Sequence, residues 1–331
     1  MPNVFAGVDV GGTRIKVGLV DESGQLLSCR MLESQSCSTP AGLFELIAGE
    51  IEAQAVAAAG RVVGAGVGCP GRVDFNSGTV LWIRSKLEFL EGVPLTAHLS
   101  ARLACPVFCD NDANVILAGE MRYGAGRGYG EVLAITVGTG IGGALVSRGF
   151  MIRGHNWAAG HFGYMSRDPM GRRHICGNTG IFEEYASQRG VQQELRRALD
   201  AGEPSQLAAC FASGAELGLK ELFEAAEQGD VLGRRLADRL IAELGVLIAN
   251  LIYAFDPELV LLGGGIMNHS PHIIDGVRRQ VVGRLDYLPP GSTEILPMAL
   301  GDAAGVMGGA AMAMDAMNPT RQGLCALGEK R

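Results

Sequence analysis

Three glycine-rich turns, each placed where an apolar strand runs out, constrain this chain more than any other feature. DVGGTRIK spans residues 9–16, VGTGIGG spans 137–143 and LLGGGIM spans 261–267. They follow the apolar runs VFAGVDV, EVLAITV and LVLL. Glycine weakens strands and helices unless the backbone needs positive φ or a close approach to something else. With 49 glycines in 331 residues, about twice the usual share of roughly 7%, their positions matter more than their number. In the first two cases a strand pattern resumes after the turn, as TRIKVGLVD and as GALVSRG, which predicts two glycine-turned hairpins. A strand–glycine turn–strand unit that occurs twice predicts a duplicated α/β architecture.

The elements between the turns support that reading. DESG turns the chain into a third strand, QLLSCRML. A helix is predicted over about 40–59, with Thr39 as N-cap and Pro40 at the first helical position. VVGAGVGCP reads as a strand stopped at Pro70-Gly71, VPLTAHLSARLA as a helix, and CPVFCDNDANVILAGEMRYG as strand, polar turn and helix. Residues 180–255 read as mostly helical, and ALGDAAGVMGGAAMAMDAM as a closing small-residue helix. The tail from Asn318 reads as loose. Two domains are expected, 1–115 and 116–301, with the helix at 302–317 packing back on the first.

Composition narrows the function. Hydrophobic residues make up 47% of the chain, enough for a sizeable core, and the net charge of −7 argues against a nucleic-acid partner. No apolar run reaches the roughly 18 residues of a membrane span, and MPNVFAGVDVGG carries no basic leader region. The eight cysteines (29, 37, 69, 105, 109, 176, 210 and 325) show no C-x-x-C spacing, which predicts reduced thiols and a cytoplasmic protein.

The turns suit a nucleotide. The amides of Gly11, Gly12 and Thr13 can face phosphate oxygens, because glycine lets the main chain come close. Asp9 could hold Mg²⁺ through water. A tight β-turn with no ligand explains any one of the three equally well. The set of three fits an ATP clamp, with one hairpin from each domain on the phosphates and the third loop under the adenine. Asp110-Asn111-Asp112 offers a carboxylate that could take a hydroxyl proton as general base. The same residues could simply cap a helix.

Taken together, DVGGTRIKVGLVD, GCPGRVDFNSGTV, NDANV, GEMRYGAGRG, TVGTGIGG, CGNTGIFEEYAS, VLLGGGI and DAAGVMGGA resemble the ROK sugar kinases and repressors over nearly the whole chain. The resemblance implies a two-domain actin-like ATPase fold with a central cleft, and ATP-dependent phosphorylation of a hexose or N-acylhexosamine. It implies Asp112 as the base that activates the 6-hydroxyl and Asn111 as a contact to neighbouring hydroxyls. Gly71, Arg72, His161, Tyr164 and Glu183 complete the implied sugar site. Asp9, Gly11, Gly12, Thr13, Lys16, Gly138, Thr139, Gly140, Gly264 and Gly265 form the implied nucleotide site, with Mg²⁺. A homodimer is expected by analogy, with no nucleic-acid or membrane partner. Repressors of the family carry an N-terminal helix-turn-helix, whereas this phosphate hairpin begins at residue 7.

The segment GHFGYMSRDPMGRRHICGNTGIFEE departs from the family pattern of Glu-x-Gly-His followed by Cys-x-Cys-Gly-x-x-Gly-Cys-x-Glu. His161 stands for the Glu, Tyr164 for the His, His174 for the first Cys and Ile181 for the third, while Cys176 and Glu183 are kept. In the family the His and three Cys hold structural zinc. Zinc needs four N or S ligands, so no bound zinc is expected here. His161 and Tyr164 imply an altered acceptor or an altered affinity for it. A polyol or cyclitol acceptor, or a weakly catalytic sugar-binding protein, are the alternatives. His98, His155, His269 and His272 read as surface or helix-end residues. Trp82 and Trp157 read as cleft-flanking or core, and Arg72 as a substrate contact or a solvated turn residue.

Overall fold

The computed structural model describes residues 1–34, 37–84, 87–212, 217–265, 267 and 271–318. In chain order the first elements are β1 (Asn3–Val10), β2 (Arg14–Asp21), β3 (Leu26–Glu33), α1 (Pro40–Ala57), β4 (Arg61–Cys69), β5 (Arg72–Asp74), β6 (Thr79–Trp82), α2 (Leu95–Leu103), β7 (Val107–Asn111) and α3 (Asp112–Tyr123). Next come β8 (Val132–Val137), β9 (Ile141–Ser147), β10 (Phe150–Met151), α4 (Glu183–Ala186), α5 (Gln188–Asp200), α6 (Leu207–Ala212), α7 (Leu219–Glu227) and α8 (Val231–Phe255). The chain continues with β11 (Leu259–Gly263), α9 (Pro271–Val282), β12 (Glu294–Pro297) and α10 (Ala304–Ala316).

Two five-stranded sheets have the orders β3-β2-β1-β4-β7 and β10-β9-β8-β11-β12. In each, a meander of three consecutive strands is extended by two later strands on the side of its first strand. The β5–β6 hairpin forms a separate two-stranded sheet. The short strands β5, β6, β10 and β12 are too brief to read from sequence, and helix α9 is not among the elements expected from it. The tail from Pro319 on, expected to be loose, and His269 lie outside the described residues.

The chain divides into two compact units. One holds residues 1–132, 144–160 and the chain from Met298 on; the other holds 133–143 and 161–297. Residue 115, the expected boundary, falls inside α3, a continuous helix that stays with the first unit. In that unit β1 pairs antiparallel with β2 and parallel with β4, which pairs parallel with β7. One face of the sheet buries Val8, Ile15, Val67, Leu43, Ile47 and Ile51 in a common core. The N-cap at Thr39 accepts from the Gly42 amide at 3.2 Å.

Helix α10 meets the other face of this sheet at unusually short range. A Cβ on Gly7 would lie 1.8 Å from the Val306 carbonyl oxygen, and one on Gly66 would lie 2.0 Å from that of Gly309. A Cβ on Gly308 would lie 1.9 Å from the Val115 carbonyl oxygen of α3. The glycines of β1, β4 and α10 are thus a packing requirement, and only backbone fills the contact. Beside it, fully buried Glu120 of α3 accepts from the amides of Ala125, Ala299 and Leu300 at 2.9, 3.1 and 2.9 Å. A buried carboxylate needs such donors.

Candidate active site

In the first unit, β7 passes into α3 with no turn between them, so Asp110, Asn111 and Asp112 stand where a strand ends and a helix begins. Asn111 is the N-cap. Its Oδ1 accepts from the Ala113 amide at 3.0 Å, and its Nδ2 donates to the Gly71 carbonyl at 2.9 Å. Gly71 has φ 92°, and a Cβ there would sit 2.3 Å from the Trp82 carbonyl oxygen. Asp112 is the first helical residue, and its Oδ1 also accepts from the Ala113 amide, at 2.9 Å. Of the two roles read for this motif, the helix cap falls to Asn111.

Burial, and secondly the carboxylate of Asp9, push the Asp112 carboxyl up to about 7. Asp9, near the end of β1, is raised by burial against the lowering pull of Lys16, its cross-strand partner in β2. Gly305 of α10 makes room for it, since a Cβ there would lie 2.6 Å from that of Asp9. Lys16 Nζ donates to the Asp302 carbonyl at 2.9 Å. In the first glycine turn, the Gly11 amide donates to the Arg14 carbonyl at 2.9 Å, while Gly12 has open space where a side chain would be. The Thr13 carbonyl accepts from the Ser34 amide at 3.0 Å. Arg72 Nη1 donates to the Asn156 carbonyl at 3.2 Å. Trp157, at φ 59°, packs against the cluster of Phe75, Val115 and Met312. His98 stacks on Phe44 at 5.4 Å and is exposed, as is His155.

In the second unit, the Gly138 amide donates to the Gly140 carbonyl at 3.0 Å, and the Gly138 carbonyl accepts from the Gln188 amide at 2.9 Å. The Thr139 carbonyl accepts from the Arg189 amide at 3.4 Å. Glu183 Oε2 accepts from the Ile141 amide at 2.9 Å, and a Cβ on Gly140 would meet that oxygen at 2.4 Å. Gly264 has φ 105°, and a Cβ there would lie 2.0 Å from the Val137 carbonyl oxygen. A cavity of about 790 Å³ is lined by Gly138 and Gly265 together with Leu219, Lys220, Phe223 and His272. Two of the three glycine loops therefore open on one cavity. His272, read from sequence as bland, faces Phe223 at 6.0 Å between ring centroids, and its Nε2 lies 3.6 Å from Glu227. The contribution of α7 carries no motif that sequence reading could have found.

The segment that departs from the family pattern lies in the same unit. His161 packs edge-on to Tyr164 with ring centroids 5.5 Å apart, and Tyr164 lies 5.6 Å from His174. His174 Nε2 is 4.0 Å from Glu183 Oε1, and its Nδ1 accepts from the Cys176 amide at 3.2 Å. Ile181 is fully buried. Two more bonds close the loop: the His174 amide donates to the Asn178 carbonyl at 2.8 Å, and Asn178 Nδ2 donates to the Tyr164 carbonyl at 2.8 Å. This donor set does not fit tetrahedral zinc, which takes four N or S ligands. Among the described residues, no group of three or more His, Cys, Asp or Glu side chains is arranged to hold a metal ion. Among them, too, no helix is long and apolar enough to cross a membrane.

The model of the ROK family matches residues 5–316. The chain belongs to the ROK family. It is 33% identical over 316 residues to the glucokinase of Thermotoga maritima, covering 94% of this chain and 98% of that one. It is 30% identical over 321 residues to the N-acetyl-D-glucosamine kinase of Salmonella paratyphi B, covering 93% and 98%. Its fold matches the crystal structure of a ROK family glucokinase from Streptomyces griseus in complex with glucose and AMPPNP, with a TM-score of 0.79, 32% identity and coverage of 94% and 99%. The two-domain actin-like ATPase fold of this ROK member is the one expected from its sequence.

Proposed function

We propose that Asp112 is the general base of an ATP-dependent phosphoryl transfer to the 6-hydroxyl of a hexose or N-acylhexosamine. That the chain is a sugar kinase rests on its family and on near-full-length identity to sugar kinases. The observation that carries the finer reading is a carboxyl held at about 7 at the start of α3. A base whose pKa lies near the working pH combines ionisation with a useful driving force for proton transfer. As the acceptor oxygen bonds to the γ-phosphorus, its proton passes to Asp112. The bond from that phosphorus to the bridging oxygen breaks, and ADP leaves with the electron pair. Asp112 then returns the proton to solvent. Asn111, fixed through Gly71, orients the acceptor.

Gly11 and Gly138 use their amides inside their own turns. In the first unit the amides of Gly12 and Thr13, on the hairpin that carries Lys16, and in the second unit those of Thr139 and Gly140 are then the donors proposed for phosphate oxygens. The cavity beside Gly138 and Gly265 has the apolar faces of Leu219 and Phe223 to receive the base. Asp9, whose charge acts on Asp112, fits Mg²⁺ held largely through water, with one or two carboxylates and the phosphates as partners. Bound there, Mg²⁺ supplies neutralising charge to the transferring phosphoryl group.

His161 and Tyr164 favour a second reading on one point alone, an acceptor preference shifted from that of the relatives. The test is a coupled ADP-release assay over glucose, N-acetylglucosamine, N-acetylmannosamine and a cyclitol panel, beside Asp112→Asn. Sugar-dependent ADP release that is lost in the variant is expected. Sugar binding without ADP release on any acceptor would leave a binding protein instead of an enzyme.

A further inference from the structure

Asp110, one residue before Asn111, carries a carboxylate whose side chain is 3% exposed, and Arg153 beside it is 7% exposed. Arg153 Nε donates to Asp110 Oδ2 at 2.7 Å. The other oxygen, Oδ1, accepts from the Asn111 amide at 2.7 Å and from Asn114 Nδ2 at 2.9 Å. The Arg153 guanidinium lies 3.8 Å from the centroid of the Phe75 ring. The carboxylate is thus met by an arginine on one side and by the peptide of the capping residue and the first turn of α3 on the other.

Arg153 also begins a tightly turned loop. Its carbonyl accepts from the Ala159 amide at 3.1 Å, Gly154 has φ 77°, and the Asn156 carbonyl receives Arg72 at 3.2 Å. One ion pair therefore ties the β7–α3 junction to the loop that meets Arg72. A buried ion pair is weak evidence of stabilisation, since apolar replacements are often no less stable. What it does supply is direction, because each bond fixes an angle as well as a distance.

We propose that Arg153 and Asp110 are positioning residues for the phosphoryl transfer, holding the Asn111–Asp112 step and the Arg72 loop in one fixed arrangement. This rests on the reading of Asp112 as base. Arg153→Met is expected to lower kcat by about 10- to 100-fold, the scale on which small misplacements act. The KM for the sugar rises and the KM for ATP stays within about twofold, since the proposed ATP cavity is lined by other residues. Arg153→Lys, which keeps the charge but loses the planar fork, recovers part of the loss.

The double variant Asp110→Asn with Arg153→Gln separates positioning from bulk stability and remains informative should Arg153→Met not fold. Removing both charges leaves no unpaired buried ion, so Tm returns toward wild type while kcat stays depressed. A folded Arg153→Met with kcat within about twofold of wild type overturns the proposal, as does a double variant that regains Tm and kcat together. Asp112→Asn, assayed in parallel, reports on the base separately: full activity there sinks the base and leaves the Arg153 result to be judged on sugar KM.

Discussion

Replacing Asp112 with Asn is expected to pull activity and stability in opposite directions. The fold raises this carboxyl from 3.8 to about 7, first by burial and second by the Asp9 carboxylate. An acid raised in the folded state stabilises the fold below its unfolded value, and that contribution is lost as pH rises through about 7. At about 1.4 kcal/mol per pH unit the span from 3.8 to about 7 corresponds to about 4 kcal/mol. The side chain is only half-buried, and solvent on its open side reduces the figure to roughly 1–3 kcal/mol. The asparagine side chain carries no charge, so at pH 8 the variant should melt higher than wild type, with the gain shrinking toward pH 4. Turnover should fall by about 10²–10⁴-fold, the range for loss of a general base. In wild type, kcat/KM should drop about tenfold per pH unit below about 7 and level off above it. The assays are thermal melts at pH 4 to 8 and coupled ADP release over the same range. Near-normal turnover in the variant, or a wild-type profile flat from pH 5 to 8, would refute the reasoning.

Four further outcomes are expected. Purified protein should hold well under one zinc per chain, with a chelator leaving Tm unchanged, because bound structural zinc adds directly to folding free energy; stoichiometric zinc on His174 and Cys176 would show the loop misread. His161→Glu, alone or with Tyr164→His, should shift relative kcat/KM among sugars by about 5- to 150-fold, the cost of mispaired buried polar groups, with a gain toward glucose-like acceptors; parallel sugar profiles would remove His161 from the site. Gly66→Ala, whose Cβ would fall 2.0 Å from the Gly309 carbonyl oxygen, should cost about 1–3 kcal/mol. Gly49→Ala, with nothing within 4 Å, should gain about 0.5–1 kcal/mol in the same denaturant titration.

The sequence alone determined what depends on neighbours along the chain. The hairpin turns at Gly11–Gly12 and Gly138–Gly140, the Thr39 cap and the change from strand to helix near Asp110–Asp112 are all set by a few adjacent residues and were legible, although the polar turn expected at the last is absent, β7 running straight into α3. So was the likeness between the two halves, which the matching strand orders of the two sheets express. The tertiary structure decided what depends on residues far apart. It divided Asn111 and Asp112 between capping and a raised carboxyl, because the pKa of Asp112 follows from burial and from Asp9 on another strand. It paired Asp110 with Arg153 and brought α7 to the cavity at Gly138 and Gly265. It also gave Gly7, Gly66 and Gly308 their role, since at these positions backbones touch where any side chain would collide. Turns and caps are satisfied by hydrogen bonds a few residues long, whereas electrostatics and close packing act through space, and their partners are chosen only when the chain has folded.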